Sequence, residues 1–179
     1  MGSLTNEFLT ISLLMLAFGS SSCGGRALPS GAPHTMLGSQ PAIAEEPALD
    51  GRLVRFPVSG SVTVVDFWAT SCQPCLTVIP KLQELYDTHH AAGLNIVGVA
   101  SDDNPGLVDQ TTKRMNVSYP NVLDPAGTLR GQYLVDELPQ TFIFDRDGRL
   151  RVVFKGGRPT DIEGLQRTVV TLLSSSGGQ

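Results

Sequence analysis

The sequence predicts an α/β domain with a partly parallel central sheet, and three observations carry that expectation. Apolar, β-branched runs occur at Val62–Trp68 and at Leu94–Ala100. Each is followed by a stretch in which apolar residues return with helical spacing. A third pair of runs, Thr141–Asp145 and Leu150–Phe154, flanks Arg146, Asp147 and Gly148 and reads as an antiparallel hairpin with Asp147-Gly148 in its turn. The 179 residues carry a formal net charge of -4, which fits one globular core plus extra segments. Lys and Arg are scattered and no block of like charge occurs, so nucleic acid is excluded as a partner.

In chain order, the first apolar run is Phe8–Phe18, eleven residues long. That is short of the ~18 a bilayer span needs and has the length of a signal-peptide core, so residues 1–22 read as a signal peptide. Residues 23–48 comprise Cys23 and a stretch rich in Gly, Pro, Ala and Ser without helical or strand periodicity, a flexible tether reaching ~25 to 30 Å. His34 lies in it and is assigned no role. The domain spans 49–173, and 174–179 (SSSGGQ) is a disordered tail.

Within the domain, Asp50-Gly51 makes a turn ahead of a short strand over 53–58. Val62–Trp68 is a buried central strand. A helix starts near Cys72 and continues through LTVIPKLQELYDTHH, with Leu76, Ile79, Leu82 and Leu85 or Tyr86 on its apolar face and Pro80 inside it. His89 and His90 close it, where imidazole suits the negative end of the helix dipole. Leu94–Ala100 is the second buried strand, and Asn104 and Pro105 supply the cap and first residue of a helix to about Asn116. A short element over 119–123 and a helical stretch over 125–134 precede the hairpin. Thr160 and Glu163 match a capping box for a last helix ending near Leu173.

Three cysteines cannot all pair within the chain, and Cys72 and Cys75 are the close pair. Bridging residues three apart constrains the unfolded chain weakly, so reactivity is the better purpose than stapling. The pair stands where a buried strand hands over to a helix. Free N–H groups and the positive dipole end favour an anion there, which lowers the Cys72 thiol below the ~8.5 of a free cysteine. Cys72 is then the attacking nucleophile. Cys75, one turn on and deeper on the same face, resolves a mixed disulfide. Pro74 has no N–H to lose in the first turn and stiffens the pair.

The run Val65-Asp66-Phe67-Trp68-Ala69-Thr70-Ser71-Cys72-Gln73-Pro74-Cys75 resembles the thioredoxin signature, and residues 48–173 resemble the TlpA/ResA branch of membrane-anchored thioredoxin-like proteins. Leu138-Pro139-Gln140-Thr141-Phe142-Ile143-Phe144-Asp145 is similar to that family's P-T-T-F-L-I-D, and Ala100–Tyr119 to its inserted helix. The resemblance implies a thioredoxin-like fold: a mixed central sheet flanked by helices, with an extra helix after the second core strand. It implies a cis bond before Pro139 facing the cysteines, and a substrate surface of Trp68, Gln73, Pro74, Leu138 and Pro139. Trp68 also reads as a core residue at the pocket edge. Ser71 replaces the usual Trp before the first cysteine.

Asp66 occupies the place of the buried thioredoxin acid. Buried beneath Cys75, its carboxyl would titrate high and could pass protons to and from that thiol, the other reading being a strand residue held by a hydrogen bond. Asp103 falls near the active-site Glu of relatives, with helix capping as the competing role for Asp102 and Asp103. Gly19–Cys23 resembles a lipoprotein processing site, which implies acylation of Cys23. The implied activity is thiol:disulfide exchange with protein substrates outside the cytoplasm, as a monomeric reductant fed by a membrane donor. Such relatives keep cytochrome c haem-site or copper-site thiols reduced. No organic cofactor and no metal are expected beyond the Cys72–Cys75 disulfide. Two other readings stand beside it. A copper-delivery module would need His89 or His90, which the helix end holds away from Cys72. A peroxiredoxin would use a single peroxidatic cysteine in a different motif.

Overall fold

The strand and helix alternation read from the sequence is what the computed structural model, which describes residues 31–175, lays out. In chain order it has β1 (Ala44–Pro47), β2 (Leu53–Phe56), β3 (Val62–Trp68), α1 (Gln73–His89), β4 (Leu94–Ala100), α2 (Pro105–Arg114), β5 (Asn121–Leu123), α3 (Thr128–Gln132), β6 (Gln140–Phe144), β7 (Leu150–Lys155) and α4 (Pro159–Ser174). The main sheet has the order β5-β4-β3-β6-β7. β3 pairs in parallel with β4, and β4 with β5, whereas β6 and β7 run antiparallel to their neighbours. This is the mixed sheet that was expected. α2 is the inserted helix.

β3 lies at the centre because every one of its residues is buried, as a run apolar on both faces demands. Its alternation sorts the core. Val62 and Val64 face α1 and α4, packing with Val78, Leu82, Leu85, Leu165 and Val169. Val65 and Phe67 face the other way, onto Phe56, Leu129, Tyr133, Phe142 and Phe144. Trp68 closes a third cluster with Cys75, Ile79, Ala100 and Val108 of α2. The sheet is therefore covered on both faces, and α1 is pinned along the face that carries Val62, Val64, Asp66 and Trp68.

Five expectations are corrected. The stretch to residue 48 was read as tether, yet over 31–48 it belongs to the domain. Ala32 N donates to Val153 O at 2.7 Å and Gly38 N to Leu150 O at 2.8 Å, so this segment runs along the free edge of β7 and shields it from foreign pairing. Ala44–Pro47 is itself strand β1, paired antiparallel with β2. His34 is not idle either: its ring meets Phe142 edge-on at 5.2 Å and its Nδ1 accepts from Met36 N at 3.3 Å.

The capping box of α4 does not form. The cap is Arg158, without a side-chain cap bond, and Pro159 opens the helix. Pro159 needs no N–H partner there, which moves the start ahead of Thr160. At the other end α4 runs through Ser174, so the tail begins later than 174. The stretch 125–134 holds a helix of five residues only, entered through Gly127 at φ 71, a left-handed value that glycine adopts without cost. Residues 1–22, Cys23 and the tether residues 24–30 lie outside the described residues. Among those described, no helix is long and apolar enough to cross a membrane.

Candidate active site

α1 begins at the point where β3 ends, and Cys72 is its N-cap. The Cys72 Sγ accepts from Cys75 N at 3.2 Å, the interaction a capping oxygen would make, and no acidic residue sits in the first turn to oppose an anion. Cys72 and Cys75 are joined as a disulfide, with Cα atoms 5.3 Å apart. Cys72 is half-buried while Cys75 has no exposed surface. Accessibility thus distinguishes the two sulfurs: an outer one that can be reached and an inner one that cannot.

The acid lies on the sheet face that α1 covers. Asp66 is fully buried on the α1 face of β3, between Val64 and Trp68, whose neighbours are α1's Val78 and Cys75. Thr141 of β6, its cross-strand partner, donates Oγ1–H to Asp66 Oδ1 at 2.7 Å. Oδ2 has no partner. Burial pushes this carboxyl up to about 7, against the opposing pull of the Thr141 hydrogen bond. It is both hydrogen-bonded at the strand and raised by burial, as the two readings of Asp66 each anticipated in part.

The third side is the loop before β6. The Leu138–Pro139 peptide bond is cis, as the resemblance implied, and Leu138 packs against the cluster that holds Cys75 and Cys72. Pro139 is buried and its carbonyl accepts from Gly156 N at 2.9 Å. At Gly157 a Cβ would stand 2.7 Å from Pro74 O, so the β7–α4 turn rests against the backbone of the cysteine motif. Sequence reading passed over both glycines; the Gly-Gly pair beside a strand end was the available signal.

Gln73 and Pro74 are exposed beside Cys72, and Leu138 is half-buried, placements open to a bound chain. Trp68 is not. It is 1% exposed and its indole N–H donates to Asn121 Oδ1 at 3.1 Å, so the expectation of a substrate-binding tryptophan is corrected to that of a core residue beneath the site. Asn121 fits there because Gly98 lacks a side chain: a Cβ on Gly98 would lie 2.0 Å from Asn121 Oδ1. Asp103 is exposed. Asp102, expected with Asp103 to help cap α2, does not cap it: its carboxylate takes both the N–H and the O–H of Thr70. Asn104 alone caps α2. His89 and His90 sit at the opposite end of the 17-residue α1, about 25 Å from Cys72.

A thioredoxin-like sheet carrying a Cys-X-X-Cys disulfide on a helix N-terminus, over a buried acid and beside a cis proline, defines a thiol-disulfide oxidoreductase of the TlpA/ResA type. The chain belongs to the AhpC/TSA family, whose model matches residues 44–153. Among curated proteins it is 27% identical to sporulation thiol-disulfide oxidoreductase A of Bacillus subtilis over 150 residues, 82% of this chain and 88% of that protein. It is 28% identical to thiol-disulfide oxidoreductase ResA of Bacillus cereus over 57% of this chain and 60% of that one. The crystal structure of StoA from Bacillus subtilis superposes with a TM-score of 0.62 at 27% identity, covering 72% of this chain and 96% of StoA. A thioredoxin-family thiol:disulfide interchange protein from Chlorobium tepidum TLS shares the fold, with a TM-score of 0.67 at 23% identity over 80% of this chain and all of that one.

Proposed function

We propose that this protein reduces disulfides of protein substrates outside the cytoplasm, cycling between the Cys72–Cys75 dithiol and disulfide with no organic cofactor. The observation that carries the reading is the asymmetry of the pair: one sulfur capping a helix N-terminus and reachable, the other sealed on the face that bears a carboxyl titrating near 7.

In the reduced protein the Cys72 thiolate, held by the α1 amides, attacks a substrate disulfide. One substrate sulfur leaves as thiolate and a mixed disulfide to Cys72 remains. Asp66 in its ionised form takes the Cys75 proton, and the Cys75 thiolate attacks Cys72 Sγ. The second substrate sulfur leaves, the substrate is a dithiol, and Cys72–Cys75 is again a disulfide. Two electrons have passed to the substrate, and a thiol donor must return them. For an exported chain that donor is at the membrane, which suits a Cys23 acylated as an anchor. Reduced thiols at cytochrome c haem sites or copper sites are the substrates that the TlpA/ResA resemblance suggests, met by a single copy of the protein.

Copper delivery is less well supported. Cys72 and Cys75 face His89 and His90 across the length of α1, and among the described residues no three His, Cys, Asp or Glu side chains gather as a ligand set. Peroxide reduction through a lone cysteine is disfavoured by the intrahelical disulfide itself.

The test is equilibration of the purified chain with glutathione, together with trapping of partners on a Cys75→Ala variant that cannot resolve the mixed disulfide. A potential near that of thioredoxin, about -270 mV, and stable mixed disulfides are the expected results. A potential at or above about -120 mV, that of a strong oxidant, would overturn the direction.

A further inference from the structure

The loop leaving β4 reads Ser101-Asp102-Asp103-Asn104, and its members divide their work. Asn104 Oδ1 accepts from Gly106 N at 3.0 Å and Leu107 N at 3.2 Å. Asp102 reaches the other way, across the sheet end: Oδ2 accepts from Thr70 N at 2.9 Å and Oδ1 from Thr70 Oγ1 at 2.5 Å. Both donors of one residue thus end on one carboxylate, the charged and two-pronged arrangement that fixes geometry best.

Thr70 stands two residues before Cys72, in the turn where Cys72 N donates to Ala69 O at 3.1 Å. Ser101 N donates to Trp68 O at 2.9 Å just beforehand, and Trp68 pairs with Ala100 at the end of the β3–β4 ladder. The two Asp102 bonds therefore prolong that ladder past the last strand residue, up to the nucleophile. While the disulfide is closed, Cys72 is also held by Cys75. Once it opens for attack, that restraint is gone and the anchoring through Thr70 remains.

We propose that Asp102 is a positioning residue for disulfide exchange, its carboxylate clamping Thr70 so that the turn presents the Cys72 sulfur in fixed orientation to an incoming disulfide. The proposal rests on the exchange activity argued above. Sulfur attack is in line with the bond it breaks, and small misplacements of reacting atoms cost rate steeply.

The sign of the effect separates clamping from charge. A carboxylate acting only as a nearby negative charge would disfavour the Cys72 thiolate, and removing it would speed attack. Loss of a clamp slows it. The experiment measures steady-state reduction of a disulfide-linked peptide by the full chain, with excess dithiothreitol as the thiol donor that returns its electrons and the uncatalysed rate subtracted, for native protein, Asp102→Ala, Asp102→Asn and Thr70→Val, with melting of each oxidised protein as a check on folding. Asp102→Ala is expected to lower kcat about tenfold with KM within about twofold. Asp102→Asn, which keeps an acceptor for the Thr70 N–H, should recover to within about threefold of native, and Thr70→Val, which loses the hydroxyl bond alone, should fall between.

A kcat for Asp102→Ala equal to or above native, a loss confined to KM, or an Asn variant as slow as the Ala one overturns the clamp. Should Asp102→Ala not fold, a native kcat in Thr70→Val overturns it. If native protein itself reduces no disulfide, it is the proposed activity that fails, an outcome distinct from all of these.

Discussion

Replacing Asp66 by Asn should make the oxidised protein's stability lose most of its dependence on pH between about 4 and 7. The native carboxyl is raised from an ordinary 3.8 to about 7 because it is fully buried. Between those two values the folded state keeps a proton that the unfolded chain has released. Stability therefore falls as pH rises through this window and levels off above about 7. At 1.36 kcal/mol for each pH unit the accumulated loss is about 4 kcal/mol. The Asn variant has no such proton to lose. Its amide oxygen can still accept from Thr141, while its NH2 inherits the site of Oδ2, which has no partner, a constant cost of about 1 to 3 kcal/mol. The offset at acid pH thus varies with that cost, but the slope does not. Urea unfolding of both oxidised proteins across the range measures it: the variant should gain on the native protein by about 4 kcal/mol from acid to neutral pH. A difference that stays constant within about 0.5 kcal/mol refutes the raised carboxyl, and with it the proton-transfer step at Cys75.

Three further perturbations probe the ground around the site. Gly98→Ala places a Cβ 2.0 Å from Asn121 Oδ1 and 3.1 Å from Trp68 Nε1; it should cost about 2 to 4 kcal/mol through overpacking and loss of the indole bond, seen as a lower urea midpoint and altered emission of the single tryptophan. Gly157→Ala sets a Cβ 2.7 Å from the Pro74 carbonyl, where backbone must yield; the Cys72–Cys75 potential should move by about 30 mV or more, a tenfold change in equilibrium, and an unchanged potential contradicts the contact. Leu134 holds φ 53 while 55% exposed, so Leu134→Asn should relieve about 1 kcal/mol of left-handed strain and raise the melting temperature by about 2 to 4 °C; a fall in melting temperature counts against it.

The fold was legible where burial acts on both faces of an element. β3 and β4 fall at the residues read from the sequence, because a run rich in apolar and β-branched residues on both faces reads as a central strand, and the N-cap sulfur follows from where β3 stops. The segment over 31–48 was misread for the complementary reason. Its Gly, Pro and Ser content obscures any periodicity, and what orders it is backbone hydrogen bonding, to the edge of β7 over 32–39 and to β2 over 44–47; those neighbours exist only once the chain is folded. Composition reports which side chains can be buried, not which main-chain groups will find a neighbour.

The same division runs through the site. Cys72, Cys75, Asp66 and Pro139 sit on or beside single elements; spacing alone singles out the two cysteines, and the resemblance to thioredoxin-like proteins points to Asp66 and Pro139. Trp68 was half-misplaced because its character depends on Asn121, 53 positions away, which pairs with its indole. Asp102 was passed over for a like reason: its partner Thr70 is 32 positions away, and a carboxylate beside an N-cap motif looks like part of the cap. What the sequence conceals, then, is the set of polar contacts made between elements at the C-terminal ends of β3 and β4 and at the first residue of β5. Those contacts decide how firmly the reactive turn is held, and so they bear on how fast the pair exchanges rather than on whether it can.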